Sequence, residues 1–325
     1  MQRIPLNIQT LYADLQQQVE TASSDEATVV ATTVAGIRYL RLQRWVGTSR
    51  TIEHLGRADD PEVLARAEAA RAEMARRAER RRLVAALRRL IPGPITALGK
   101  VADAIAHAGL FRRGGVLVGT AAYQCYPPLL GAVLPAVTVM TQDLDLATAD
   151  LALDADIEGD SMLAILRRAE PSFSAVPGLD PKAPSSRFRD ARGFVVDLLT
   201  PQRRRSDRDP MPLKGLAAGA TPLQHLAWLI ADPAPAVMLH GAGVPVMLPQ
   251  PSRFAVHKLI VAQRRGAHEL VKSRKDLAQA GAIIELLRAD APYAWQGALA
   301  DAMRRGRDGW SRPIERSLAT LGLDP

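Results

Sequence analysis

Asp143 and Asp145 are separated by a single leucine in the stretch QDLDLAT, residues 142–148, at the end of an apolar, β-prone run. In a strand, residues two apart project from one face. Both carboxylates then stand side by side while Leu144 and Leu146 point into a core. Two such charges in a low-dielectric setting repel each other and favour protonation unless a cation lies between them. Magnesium, or manganese, suits that place, because a hard divalent cation takes oxygen ligands and bridges carboxylates to substrate phosphates. A third carboxylate, Asp197, sits in GFVVDLLTP among Phe194, Val195, Val196, Leu198 and Leu199. A lone aspartate in an apolar strand is costly unless it is paired or bound to metal. The competing reading of the aspartate pair is a strand end or a helix-capping turn ahead of ATADLALDAD, residues 147–156, since Asp is common at turns and caps.

Carboxylates that hold a metal for phosphate chemistry need a partner that holds the phosphates. VLVGTAAYQ, residues 116–124, supplies one. Gly119 and Thr120 end a strand and open a helix, which places free backbone N–H groups and a hydroxyl where an anion can sit. The lysine and glycine spacing of a Walker loop is absent. Other chemistries find less support. His54, His107, His225, His240, His257 and His268 include no pair at the i, i+4 spacing of a helical zinc site. No nucleophile-elbow sequence introduces a Ser/His/Asp triad.

The elements that must position these residues follow from periodicity and breakers. TALGKVADAIAHAGL reads as an amphipathic helix and RRGGVLVGT as a strand leaving a glycine turn. The uncharged run from Val116 to Met140 is long enough to span a bilayer. Pro127, Pro128 and Pro135 divide it instead into strand, helix and second strand buried in protein. A helix follows around MLAILRRAE, then three short β-like runs, SFSAV, SRFRD and GFVVDLLTP. Beyond residue 210, AVMLH and VPVMLP form a hairpin-like pair around GAG, and RFAVHKLIVAQRR and SRKDLAQAGAIIELLRA are the clearest helices. From about residue 8 to Ile91 the pattern reads as almost entirely helical, with a turn near GRADDPE, where Asp60-Pro61 makes a good helix start. IPGP, residues 91–94, breaks the chain at a domain boundary.

At 325 residues, with 47% hydrophobic and 23% charged residues, the chain is that of a folded globular protein with room for two or three domains. The formal charge of +8 owes much to residues 65–90. Arg76, Arg77, Arg80, Arg81 and Arg82 there either form a solvated face laced with pairs such as Glu68–Arg71 and Glu73–Arg76, or attract nucleic acid or an acidic partner. Few aromatics are interleaved, which argues against single-strand stacking. Cys125 stands alone, so neither a disulfide framework within the chain nor a cysteine zinc site is expected. The N-terminal stretch has no basic segment followed by an apolar one, so no secretory signal is read, and a cytoplasmic location without a membrane span is expected.

Gly119-Thr120, Asp143, Asp145 and Asp197, in that order, resemble the polymerase-β-like nucleotidyltransferase superfamily. A closer likeness is to a bacterial family of nucleotidyltransferase-fold proteins, in which a helical N-terminal region precedes the core and a segment like PSRFAVHKLIVAQRR, followed by KDLAQA, succeeds it. That likeness extends over most of residues 35–290. Thr120 stands where serine is common, and the connection from Gly119 to Asp143 is longer than in minimal members. The resemblance implies an α/β (α+β) fold: a mixed-sheet core at 93–210, a helical N-terminal region at 1–92, and a mostly helical C-terminal domain with a short hairpin at 211–325. It implies transfer of a nucleoside monophosphate from a nucleoside triphosphate to an acceptor hydroxyl of RNA, protein or a small molecule, with Asp143, Asp145 and Asp197 holding magnesium or manganese. It also implies that Lys258, with Arg264 and Lys275, contacts the nucleotide's phosphates. Read from the residues alone, His257 and Lys258 equally suit a core-edge histidine and a snorkelling lysine. The alternatives from other classes are a non-catalytic member that binds nucleic acid or protein and, by analogy, a component of a toxin–antitoxin or phage-defence pair.

Overall fold

The computed structural model describes the chain apart from residues 23–26, 47–48, 136–140, 150–160, 179, 181–182, 205 and 325. The second strand expected in the apolar run, and most of ATADLALDAD, therefore lie outside the described residues. Among the described residues, no helix is long and apolar enough to cross a membrane.

The N-terminal region departs from expectation. Helix α1 (Leu6–Glu20) is followed by three strands, β1 (Ala27–Val34), β2 (Ile37–Val46) and β3 (Ser49–Arg57), before the long helix α2 (Pro61–Leu87). The strands form an antiparallel meander. Its cause is local. ATVVATTV and IRYLRLQ are rich in β-branched and aromatic residues, and Ala35 and Gly36 join them with positive φ at both positions, as a two-residue hairpin turn requires. Leu40 packs with Val63 and Ala67 of α2, a small core of its own. The start of α2 is as read: Asp60 accepts a hydrogen bond from the Glu62 N–H, and Pro61 occupies the first turn, where no donor is needed.

After IPGP come α3 (Thr96–His107), β4 (Val116–Val118), the short helices α4 (Gly119–Tyr123) and α5 (Pro127–Leu130), β5 (Asp143–Ala147), α6 (Met162–Ala169), β6 (Ser174–Ala175), β7 (Arg187–Arg189) and β8 (Val195–Pro201). The C-terminal part holds β9 (Met211–Leu213), β10 (Ala218–Leu223), α7 (Leu226–Leu229), the hairpin β11 (Ala234–Met238) and β12 (Val244–Leu248), and helices α8 (Pro251–Arg264), α9 (Leu270–Asp290), α10 (Pro292–Met303) and α11 (Arg312–Leu321). The central sheet runs β4-β5-β8-β10-β9, with β7 also paired to β8. It is mixed: β5 and β10 run parallel to β8, while β4, β7 and β9 run antiparallel to their neighbours.

One hydrophobic cluster extends from Leu98 to Leu318, through the boundary expected at residue 210, because β9 and β10 complete the sheet. Leu144, Leu146, Val196 and Leu198 are at most 1% exposed and form the packed face of β5 and β8. Helix α8 packs against α9, α10 and α11. Its Phe254, Leu259 and Ile260 are fully buried, each contributing about 2 kcal/mol. A second cluster joins Tyr12, Leu15 and Val19 of α1 and the end of α2 to Val237 and Leu239. The Tyr12 hydroxyl fastens it by accepting from the Val237 N–H at 2.8 Å and donating to the Val237 carbonyl at 3.2 Å.

Candidate active site

The alternation read from QDLDLAT is realised in β5. Asp145 stands opposite Val118 of β4 on one side and opposite Asp197 of β8 on the other, and Asp197 in turn stands opposite Arg187 of β7. Val118, Asp145, Asp197 and Arg187 thus form one transverse row across four strands. Directly opposed residues share a face, so Asp145 and Asp197 project together, and Asp143, two residues back, joins them. The capping alternative does not hold for this pair, since both aspartates are strand residues.

Gly119 closes the row from the β4 end. Its φ is +65°, a left-handed conformation that glycine adopts without penalty, and a Cβ there would overlap Oδ2 of Asp145. The turn from β4 into α4 therefore brings backbone directly over a carboxylate. Thr120, the next residue, is half-buried in the first turn of α4.

Electrostatics make Asp145 the unusual member of the group. It keeps some accessible surface, but its carboxyl is enclosed by protein, and burial, reinforced by Asp143 and Asp197, pushes its pKa up from 3.8 to about 7. Lys258 and Arg187 pull in the opposite direction without cancelling the rise. Asp143 accepts a hydrogen bond from the Thr141 hydroxyl. Asp197 is gripped by Arg187 through a two-pronged ion pair, Nε to Oδ1 at 2.7 Å and a second guanidinium nitrogen to Oδ2 at 2.9 Å.

The basic residues expected from α8 and α9 divide. Lys258 is buried, and its ammonium donates to Asp276 of α9 at 2.7 Å, with the Phe254 ring 5.3 Å away. Asp276 also accepts from Arg265 at 2.6 Å. Lys258 lends its charge to Asp145 through space while its hydrogen bond anchors two helices. Lys275 lies close enough to feel both Lys258 and Asp143, and burial, then Lys258, lowers its pKa. Arg264 is directed elsewhere: it donates to Gln224, and its charge acts on His225 and His257. His257 is a core-edge histidine, its pKa lowered to about 3 chiefly by burial.

Two contributors escaped the sequence reading, Arg187 and Asp276. Arg187 had a usable signal. SRFRD and GFVVD flank the turn Asp190–Gly193, where Asp190 Oδ1 accepts from the N–H groups of Arg192 and Phe194, and folding the hairpin about that turn sets Arg187 against Asp197. Asp276 carried no comparable signal, because its partner lies on another helix.

Among the described residues, no group of three or more His, Cys, Asp and Glu side chains is arranged to hold a metal ion. The donor set still fits a hard divalent cation through Asp143 and Asp145. Two neighbouring carboxylates on one face, one of them pushed toward its neutral form by burial and then by the other's charge, are what such an ion would relieve. Both oxygens of Asp197 already accept from Arg187, so a cation there would compete with the guanidinium.

A mixed sheet thus sets aspartates of neighbouring strands beneath a glycine turn. The chain belongs to a nucleotidyltransferase family, whose model matches residues 96–304, from the first residue of α3 to just past α10. Helix α1, the β1–β3 meander and α2 lie outside the matched span. No curated protein and no solved structure matches the chain.

Proposed function

We propose that the protein is a polymerase-β-like enzyme that transfers a nucleoside monophosphate from a nucleoside triphosphate to an acceptor hydroxyl and releases pyrophosphate. The row that carries Asp145 and Asp197 on one face, with Gly119 folded against Asp145, is the observation that supports this reading. Asp143, Asp145 and a released Asp197 would hold magnesium or manganese, which when bound supplies charge neutralisation for the entering and leaving oxygens. The Gly119-Thr120 turn offers backbone N–H groups and a hydroxyl to the terminal phosphates. Lys258 and Lys275 place positive charge behind the carboxylates without needing to leave their helices. A released Asp197 would also help to take the acceptor's proton. A cytoplasmic setting belongs to the same reading, since a single cysteine, Cys125, gives the chain no disulfide of its own.

The test is incubation with each nucleoside triphosphate labelled at the α-phosphate, magnesium or manganese, and cell extract as a source of acceptors. Label should appear in a product with wild type and be absent with Asp145→Asn. No transfer, together with no metal-dependent rise in melting temperature for any triphosphate, would overturn the assignment.

A further inference from the structure

Asp197 is the carboxylate that the transfer reaction needs free, and it is the one the fold has already paired. The pairing differs in kind from the other ion pair beside the site. Lys258 and Asp276 are both almost fully buried, and their bond ties α8 to α9. Arg187 leaves 58% of its side chain exposed, against 18% for Asp197. An arginine so placed can swing away without uncovering packed surface, whereas Asp197 is fixed on the parallel pair of β5 and β8. Its charge already acts on Asp145 and Asp143 as well as on Asp197. Its planar fork matches a phosphate as well as it matches a carboxylate.

We infer that Arg187 is the counter-cation of the metal-free site: it competes with the divalent cation for Asp197 and, once displaced, turns its guanidinium to the triphosphate that arrives with that cation. This rests on the metal-and-triphosphate reading given under Proposed function. The consequence is coupling. Metal alone meets a competitor, while metal and triphosphate together give both Asp197 and Arg187 a new partner. The pair thereby disfavours a metal-loaded site without substrate.

The experiment measures manganese uptake from the paramagnetic signal of the free ion, without nucleotide, for wild type, Arg187→Gln, Arg187→Lys and Asp143→Asn. Arg187→Gln should bind manganese about tenfold more tightly than wild type, with Arg187→Lys between them, since a charged two-pronged bond has been removed from one ligand. At saturating manganese, a non-hydrolysable triphosphate should bind Arg187→Gln about tenfold more weakly than wild type. Should Arg187→Gln fail to fold, Arg187→Lys carries the test and must still exceed wild type in manganese affinity. Manganese binding unchanged or weakened by loss of Arg187, while Asp143→Asn still abolishes uptake, overturns the counter-cation role and leaves the metal site standing. Unchanged triphosphate affinity overturns the transfer of Arg187 to the phosphates. Uptake by none of the proteins, even with triphosphate present, removes the metal site and this inference with it.

Discussion

Gly119 and Asp145 touch through the space that a side chain at 119 would fill: a Cβ there would overlap Oδ2 of the carboxylate. The left-handed backbone at Gly119 adds a second penalty for any larger residue. Gly119→Ala should therefore destabilise the protein by about 1–3 kcal/mol, from strain and from displacing Asp145. It should also weaken metal-dependent triphosphate binding. Urea unfolding and a triphosphate titration check the two effects separately, and a variant of wild-type stability would show that the close approach is not maintained in solution.

Asp145 makes stability depend on pH in an uncommon direction. Its folded pKa, about 7, lies above the ordinary value of 3.8, so the folded chain holds a proton that the unfolded chain releases. Its contribution is fully present below the lower value and is lost as pH rises to the higher one. With a chelator present, melting temperature should fall across this window by the equivalent of at most about 4 kcal/mol, less because part of the residue meets water. Asp145→Asn should flatten that slope and leave the metal-free protein no less stable at neutral pH. A steeper slope in the variant would contradict the account.

Features written in local patterns were legible in the sequence. DLDL alternates with period two, GT sits between an apolar run and a helix, and Asp60-Pro61 opens α2, because each depends on residues adjacent along the chain. The β1–β3 meander was also locally encoded, in the alternating β-branched residues around Ala35-Gly36, but the helical patterns on both sides outweighed it. The partners of the candidate site residues were not legible in the same way. Lys258 could be read as a cation near the phosphates, whereas its bond to Asp276 depends on how α8 packs on α9. The charge of Asp197 was evident, while its capture by Arg187 required the register of a hairpin.

Asp276 bridges Lys258 and Arg265 in an almost fully buried position. Asp276→Asn leaves a buried ammonium without its counter-charge and should cost about 3–5 kcal/mol. Lys258→Met removes the buried cation instead and leaves Arg265 to satisfy Asp276, so it should cost less. Chemical denaturation of both variants gives the order. The reverse order would mean that Lys258 is not anchored by Asp276 and is available to other partners.

The arginines of α2 do not form one uniform surface, and that decides which of them can serve a nucleic acid. Arg76 and Arg80 both turn onto Glu73, at 2.8 and 3.1 Å, and Arg80 is buried. Their charge is spent within the helix. Arg81 and Arg82 are exposed and point the basic excess of this region toward solvent. If a nucleic acid docks here, the double variant Arg81→Gln/Arg82→Gln should lose affinity for every sequence alike and reduce the salt-dependence slope by about 2, since each phosphate left without its arginine removes about 0.9. Arg80→Gln should instead lower stability, because Glu73 loses its buried partner, and should change the slope little. Fluorescence anisotropy of a labelled RNA duplex across a salt series measures both. A slope unchanged by the double variant would assign this helix face to solvent or to an acidic protein, since phosphate neutralisation cannot be removed without a change in salt dependence.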